Sequence, residues 1–125
     1  MTPTRRLDED TVARAAHAVA GAFGFSLGLL LGRSRAGRLP EARFALYRLL
    51  READARATLH DIGRLLRRDH GAILHGLRRA DALASAYRDY AERLAAARDI
   101  FAGTARAEPV SIPRHTTPAK RFPWL

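Results

Sequence analysis

The chain has 125 residues, room for one small domain around one core. Its 22 Lys+Arg outnumber 13 Asp+Glu to give a formal net charge of +9, so a polyanionic partner, nucleic acid or an anionic surface, is expected. With no cysteine, disulfides, thiolate metal sites and cysteine nucleophiles are excluded, and a reducing cytoplasm fits.

Residues 1 to 7 read as a loose start. Asp8 or Asp10 suits the positive end of a first helix, in which Val12, Ala16, Val19 and Phe23 make one apolar stripe at i, i+4, i+7 and i+11. Gly24 is the expected stop. Ser26 can cap a short apolar turn through Leu27, Leu29, Leu30 and Leu31, ended by Gly32. The run from Ala15 to Gly32 holds no charged side chain and approaches the length of a membrane span. Its four glycines, Ser26 and His17 keep its apolarity modest, so no membrane insertion is expected. Acids at positions 8 to 10 and arginines from Arg33 to Arg38 do not fit a signal peptide.

The stretch from Gly32 to Arg38 is a basic loop with two glycines. Pro40 stands where a first helical residue would, Glu41 follows in the first turn, and Ala42, Leu46, Leu49, Leu50 and Ala53 point inward from a helix ending near Ala53. Thr58-Leu-His-Asp61 has the spacing of a capping box, and Leu59, Ile62, Leu65 and Leu66 form the stripe of a short helix. Arg67-Arg68 interrupts it. Asp69 can cap a new helix carrying Ile73, Leu77, Ala80 and Ala84, with Leu74 beside them. Ser85 is the expected cap of a last helix with Tyr87, Tyr90, Leu94, Ala97 and Phe101 on one face. No segment alternates as a strand does, so the expected fold is all-α, a compact bundle of about five to six helices over residues 8–103.

Beyond Gly103 the stripe vanishes and Pro109, Pro113, Pro118 and Pro123 recur, which predicts a disordered basic tail or linker over 104–125. Its end, Phe122-Pro-Trp-Leu125, has the form of a docking segment for a protein partner such as RNA polymerase or another regulator; a plain linker, or a tail folding back on the domain, is the alternative.

Two short helices meeting at a tight junction between about Thr58 and Ala84 describe a helix-turn-helix, the second helix presenting its start to base edges. Arg67, Arg68, Asp69 and His70 carry suitable chemistry. Arginine forks onto guanine or grips phosphate, aspartate accepts from cytosine, and histidine donates to a base or a phosphate. Gly71 and Ala72 allow close approach to the groove, and His75 and Arg78 share the outward face. Double-stranded DNA is therefore the expected partner. A solvated helix of an ordinary bundle is the alternative, with Asp69 as no more than its cap. Lys120 is the single lysine, and a GC-rich genome also raises arginine and alanine, so placement of the charge has to decide.

Ile62-Gly-Arg-Leu-Leu-Arg-Arg-Asp-His70, followed by Ile73-Leu-His75, resembles the C-terminal DNA-binding domain of the bacterial replication initiator DnaA. Thr58-Leu59 with Asp61-Ile-Gly63, Ala42-Arg43, and Phe23 to Ser26 through Gly32 to Arg35 extend the resemblance over about residues 10 to 102. It implies a Trp-repressor-like helical fold. It implies that Arg33, Arg35 and Arg38 reach the minor groove and nearby phosphates, and that Arg68, Asp69 and His70 enter the major groove. It also puts the backbone at Leu59 and His60 against phosphate and brings Arg43 into the interface. The chain departs from the family where Gly71-Ala72 replace hydroxyl residues that read bases, so the family's target sequence does not carry over. Phe44, His60 and Arg67 stand where the family has a polar residue, a proline and a turn glycine. With no phosphate loop, the expectation is a DNA reader without the ATPase module, acting as a cytoplasmic, nucleoid-associated transcriptional regulator. The alternatives are a replication or nucleoid accessory factor at initiator-type sites, or a protein-interaction or membrane-surface module. Paired carboxylates, a nucleophile elbow and histidines at metal spacing are all missing, so neither an enzyme nor a cofactor or metal site is expected.

Overall fold

A computed structural model describes residues 7–106, six helices and no strand among them. Helix α1 (Glu9–Phe23) begins where Asp8 accepts the Thr11 N–H at 2.8 Å, with Glu9 and Asp10 at its positive end. Val12, Ala15, Ala16 and Val19 are buried, and Phe23 is half-buried. Gly24, at φ 79°, turns the chain out of the helix while its N–H closes on the Ala20 carbonyl. Ser26 then caps α2 (Leu27–Leu31) through the Leu29 N–H. A five-residue helix can turn few positions inward: Leu30 is buried, whereas Leu29 and Leu31 of the expected apolar turn are exposed.

Helix α3 (Leu39–Ala53) starts one residue before Pro40, whose missing N–H is harmless in a first turn. Ala42, Leu46, Leu49 and Leu50 are buried as expected, but Ala53, on the last turn, is exposed. In α4 (Leu59–Leu66) both arms of the capping box form: Thr58 Oγ1 accepts the Asp61 N–H at 3.0 Å, and Asp61 accepts the Thr58 N–H at 2.9 Å. Ile62 is fully buried; Leu59, Leu65 and Leu66 are half-buried, because α4 lies at the edge of the bundle. Helix α5 (His70–Ala86) opens at Asp69 and buries Ile73, Leu77 and Ala80, while Ala84 is half-buried and Leu74 is exposed.

The last break falls later than expected. The chain runs helical past Ser85 to Ala86, and α6 (Arg88–Arg106) starts after Tyr87, which is 60% exposed instead of joining the core. The anchor is Tyr90. It is buried, and its hydroxyl donates to the Glu41 carbonyl at 2.8 Å, fixing the start of α6 across the start of α3. Leu94 and Ala97 continue the buried stripe. Helix α6 also continues through Arg106, so the first residues of the expected tail, 104–106, are helical. The Phe122–Leu125 end lies outside the described residues.

The core sits between α1, α3, α5 and α6, with α1 packed on α3 and α6 and with α4 and α5 joined at one end. Gly76 lets α5 close on α3: a Cβ there would clash with the Tyr47 ring, with Cε2 at 2.7 Å, and with Phe44 at 2.9 Å. No helix among the described residues is long and apolar enough to cross a membrane.

Candidate nucleic-acid interface

The junction between α4 and α5 is three residues, Arg67 to Asp69. Arg67 adopts the left-handed conformation at φ 59° and ψ 46°, which is strained for a residue with a Cβ. The Arg68 N–H then returns to the Gly63 carbonyl at 2.8 Å, closing the end of α4. Gly63 is required by this closure, because a Cβ on it would lie 2.5 Å from the Arg68 carbonyl oxygen. The turn is therefore held tightly against the helix it leaves.

Two hydrogen bonds tie the turn to the loop between α2 and α3. Arg68 donates to the Gly32 carbonyl at 2.8 Å, and Arg33 donates to the Arg67 carbonyl at 3.3 Å. The loop is braced from beneath by Arg43, whose Nε, Nη1 and Nη2 donate to the carbonyls of Leu30, Ser34 and Leu29 at 2.8, 2.5 and 2.8 Å. Two of these carbonyls close the end of α2, where a cation is favourable. Burial, and after it the neighbouring Arg68 charge, push the Arg43 pKa below its usual value.

The fourteen residues expected at the interface thus fall into groups. Arg33, Arg35, Arg67, Arg68, His70, Gly71, Ala72 and His75 come together around the loop, the turn and the first turns of α5, and all but half-buried Arg68 are exposed. Arg78 lies further along the exposed face of α5. Leu59 and His60 are the first residues of α4, where N–H groups have no acceptor within a helix. The His60 ring stacks on the His70 ring, 4.3 Å between centroids and 27° apart, so the starts of α4 and α5 are neighbours. Asp69 accepts the Gly71 N–H at 3.0 Å, acting as the cap of α5, while its side chain remains largely in solvent.

Two residues have other roles. Arg43 is 6% exposed, with its donors on backbone, so it shapes the loop and does not present its charge outward. Arg38 bonds Glu41 at 3.1 Å and lies 3.9 Å from Asp89, so carboxylates already face its guanidinium. The periodic pattern does not reveal the role of Arg43, whose partners lie in an irregular loop, or the approach of Asp89 to Arg38; the Arg38–Glu41 pair, by contrast, is local at i,i+3.

Arg14, Arg38, Arg48, Arg64, Arg93 and Arg98 each pair with a carboxylate. Arg33, Arg35, Arg67, Arg68 and Arg78 have no carboxylate partner among the described residues, a state they share with Arg56, Arg79 and Arg88. Between the loop and α5 lies a depression of about 360 Å³, lined by four arginines, Arg33, Arg35, Arg43 and Arg68, and by Pro40, Phe44, Tyr47, Ala72 and His75. The Phe44 and His75 rings meet edge to face, 5.7 Å between centroids. Phe44 was not anticipated as part of this face; its signal in the sequence is an aromatic residue where the resembled family is polar.

Compared with known proteins, the chain matches no family model, no curated protein and no solved structure.

Proposed function

We propose that the chain is a sequence-specific double-stranded DNA-binding protein, acting as a nucleoid-associated transcriptional regulator, with α4 and α5 as its helix-turn-helix. The start of α5 enters the major groove, putting Asp69, His70, Gly71 and Ala72 against base edges. Arg33 and Arg35 take the adjacent phosphates and minor groove, Arg67 and Arg68 hold the strand beside them, and the start of α4 offers Leu59 and His60 N–H groups to phosphate. The observation that supports this reading best is the crossed pair of bonds, Arg68 to Gly32 and Arg33 to Arg67, which hold the basic loop beside the exposed start of α5. Cations without acids in this position are what phosphate neutralisation needs, and a short glycine at position 71 leaves the groove floor accessible.

Titration of a labelled duplex at several salt concentrations tests the reading. The logarithm of affinity should fall linearly with the logarithm of salt, and each of Arg33→Ala, Arg35→Ala and Arg67→Ala should lower that slope by about 0.9. Arg98→Ala, which removes a cation paired with Glu52, should leave it unchanged. A slope equally sensitive to Arg98 and Arg35 would reduce the interaction to diffuse charge and contradict the assignment.

A further inference from the structure

Two of the five histidines meet in a way that no sequence spacing requires. His60 is the second residue of α4 and His70 the first of α5, and their exposed rings stack with centroids 4.3 Å apart. Neutral rings stack as aromatic pairs do, and one imidazolium over one neutral ring is also accommodated. Two imidazolium charges at that separation repel each other. The surroundings add positive charge. Both rings stand at the positive ends of helices, Arg67 and Arg68 follow in the turn, and Arg33 reaches the Arg67 carbonyl from the loop. Buried Arg43 of α3 adjoins Arg68. On the acidic side, Asp69 lies 3.9 Å from His70 Nδ1, and Asp61 of α4 pairs with Arg64 at 3.3 Å. Asp69 thus favours a proton on His70, while a second proton, on His60, meets the first at stacking distance.

We infer that the stacked His60–His70 pair is a proton-linked DNA contact: it takes up a proton when the start of α5 enters the duplex, so affinity rises as pH falls. This inference rests on the DNA-binding reading above. In that reading His60 stands where the start of α4 meets a phosphate, and His70 stands at base edges that carry acceptors. Phosphate charge beside the pair offsets the repulsion between two charged rings. A charged ring also donates from both nitrogens, where a neutral one donates from one. The complex therefore holds more protons than the free chain, and by linkage a supply of protons strengthens the complex. The pair acts as a pH sensor within the interface, distinct from the arginines, whose charge stays constant over the same range.

Anisotropy titrations of one labelled duplex with the full chain, at fixed ionic strength from pH 8 to pH 6, test this. The expected gain in affinity toward pH 6 is about tenfold. His60→Gln and His70→Gln should each diminish that gain, and the double variant should lose it, whatever each costs at pH 8. His17→Gln, exposed on α1, should keep it. Proton NMR of the ring signals reads the pairing in the free chain: His60 and His70 should titrate in coupled steps, and His70→Gln should leave His60 a single step. Equal affinity at pH 8 and pH 6 overturns the inference while leaving duplex binding intact. So does a double variant with the parent's gain, which would move the effect to another group such as His75, and so do independent single-step titrations in the free chain. Failure to bind any duplex at either pH, with the coupled titration present, refutes the underlying reading and takes the inference with it.

Discussion

Replacing Arg67 separates conformation from charge. At φ 59° and ψ 46° the residue sits in the left-handed region, where a Cβ is disfavoured by about 1–2 kcal/mol relative to glycine. Glycine relieves that strain but gains about 0.5–1 kcal/mol of unfolded-chain freedom, so the net gain of Arg67→Gly over Arg67→Ala is about 0.5–1 kcal/mol. In a domain of this size that is roughly 2–8 °C in Tm. Both variants lose the same cation and both keep the backbone carbonyl that Arg33 uses. They should therefore bind a duplex equally weakly, each with a salt slope about 0.9 shallower than the parent, while differing in thermal unfolding in favour of glycine. Thermal unfolding followed by circular dichroism, alongside fluorescence anisotropy titrations, reads both quantities. Equal Tm values would refute the strain argument, and unchanged salt slopes would refute the placement of Arg67 at the phosphates.

Gly76→Ala should destabilise by about 1–3 kcal/mol, because its Cβ would meet the Tyr47 and Phe44 rings; helix propensity alone predicts the opposite sign, so chemical denaturation distinguishes the two. Arg43→Met leaves the carbonyls of Leu29, Leu30 and Ser34 without their donor, and should cost roughly 1–3 kcal/mol and raise amide exchange in the 32–38 loop more than in α6. Tyr90 has its pKa raised, first by burial and then by the Glu41 charge. Its folded form therefore stays protonated where the unfolded form ionises, so stability present below the ordinary tyrosine value of 10.0 declines as pH rises above it toward the raised folded value. Tyr90→Phe should flatten that alkaline decline, at the expense of about 1 kcal/mol at neutral pH from the lost bond to the Glu41 carbonyl.

Features set within one helical turn were legible in the sequence. Asp8, Ser26, Thr58 with Asp61, and Asp69 all act as caps, and the buried stripes of α1, α3 and α5 follow the helical period. Features set by distant partners were not. Nothing near Ser85 reveals that α5 runs on to Ala86, because the start of α6 is fixed by Tyr90 reaching Glu41, 49 residues earlier. The role of Arg43 depended in the same way on the end of α2, and the second carboxylate beside Arg38, Asp89, on the start of α6, whereas its nearer partner Glu41 is only three residues away. For the candidate site, spacing identified the start of α5 and composition identified the basic loop. Their joining by Arg33 and Arg68 is a property of the folded chain, as is the place of Phe44 in the depression beside them.

The central claim is that this face prefers particular duplex sequences, and repeated selection of bound duplexes from a random pool tests it most directly. The account predicts an enriched site bound at least about a thousandfold more tightly than random duplex, with the preference at one or two base pairs lost in His70→Ala. A pool that stays random through successive rounds, or one enriched equally by His70→Ala and the parent, would contradict it.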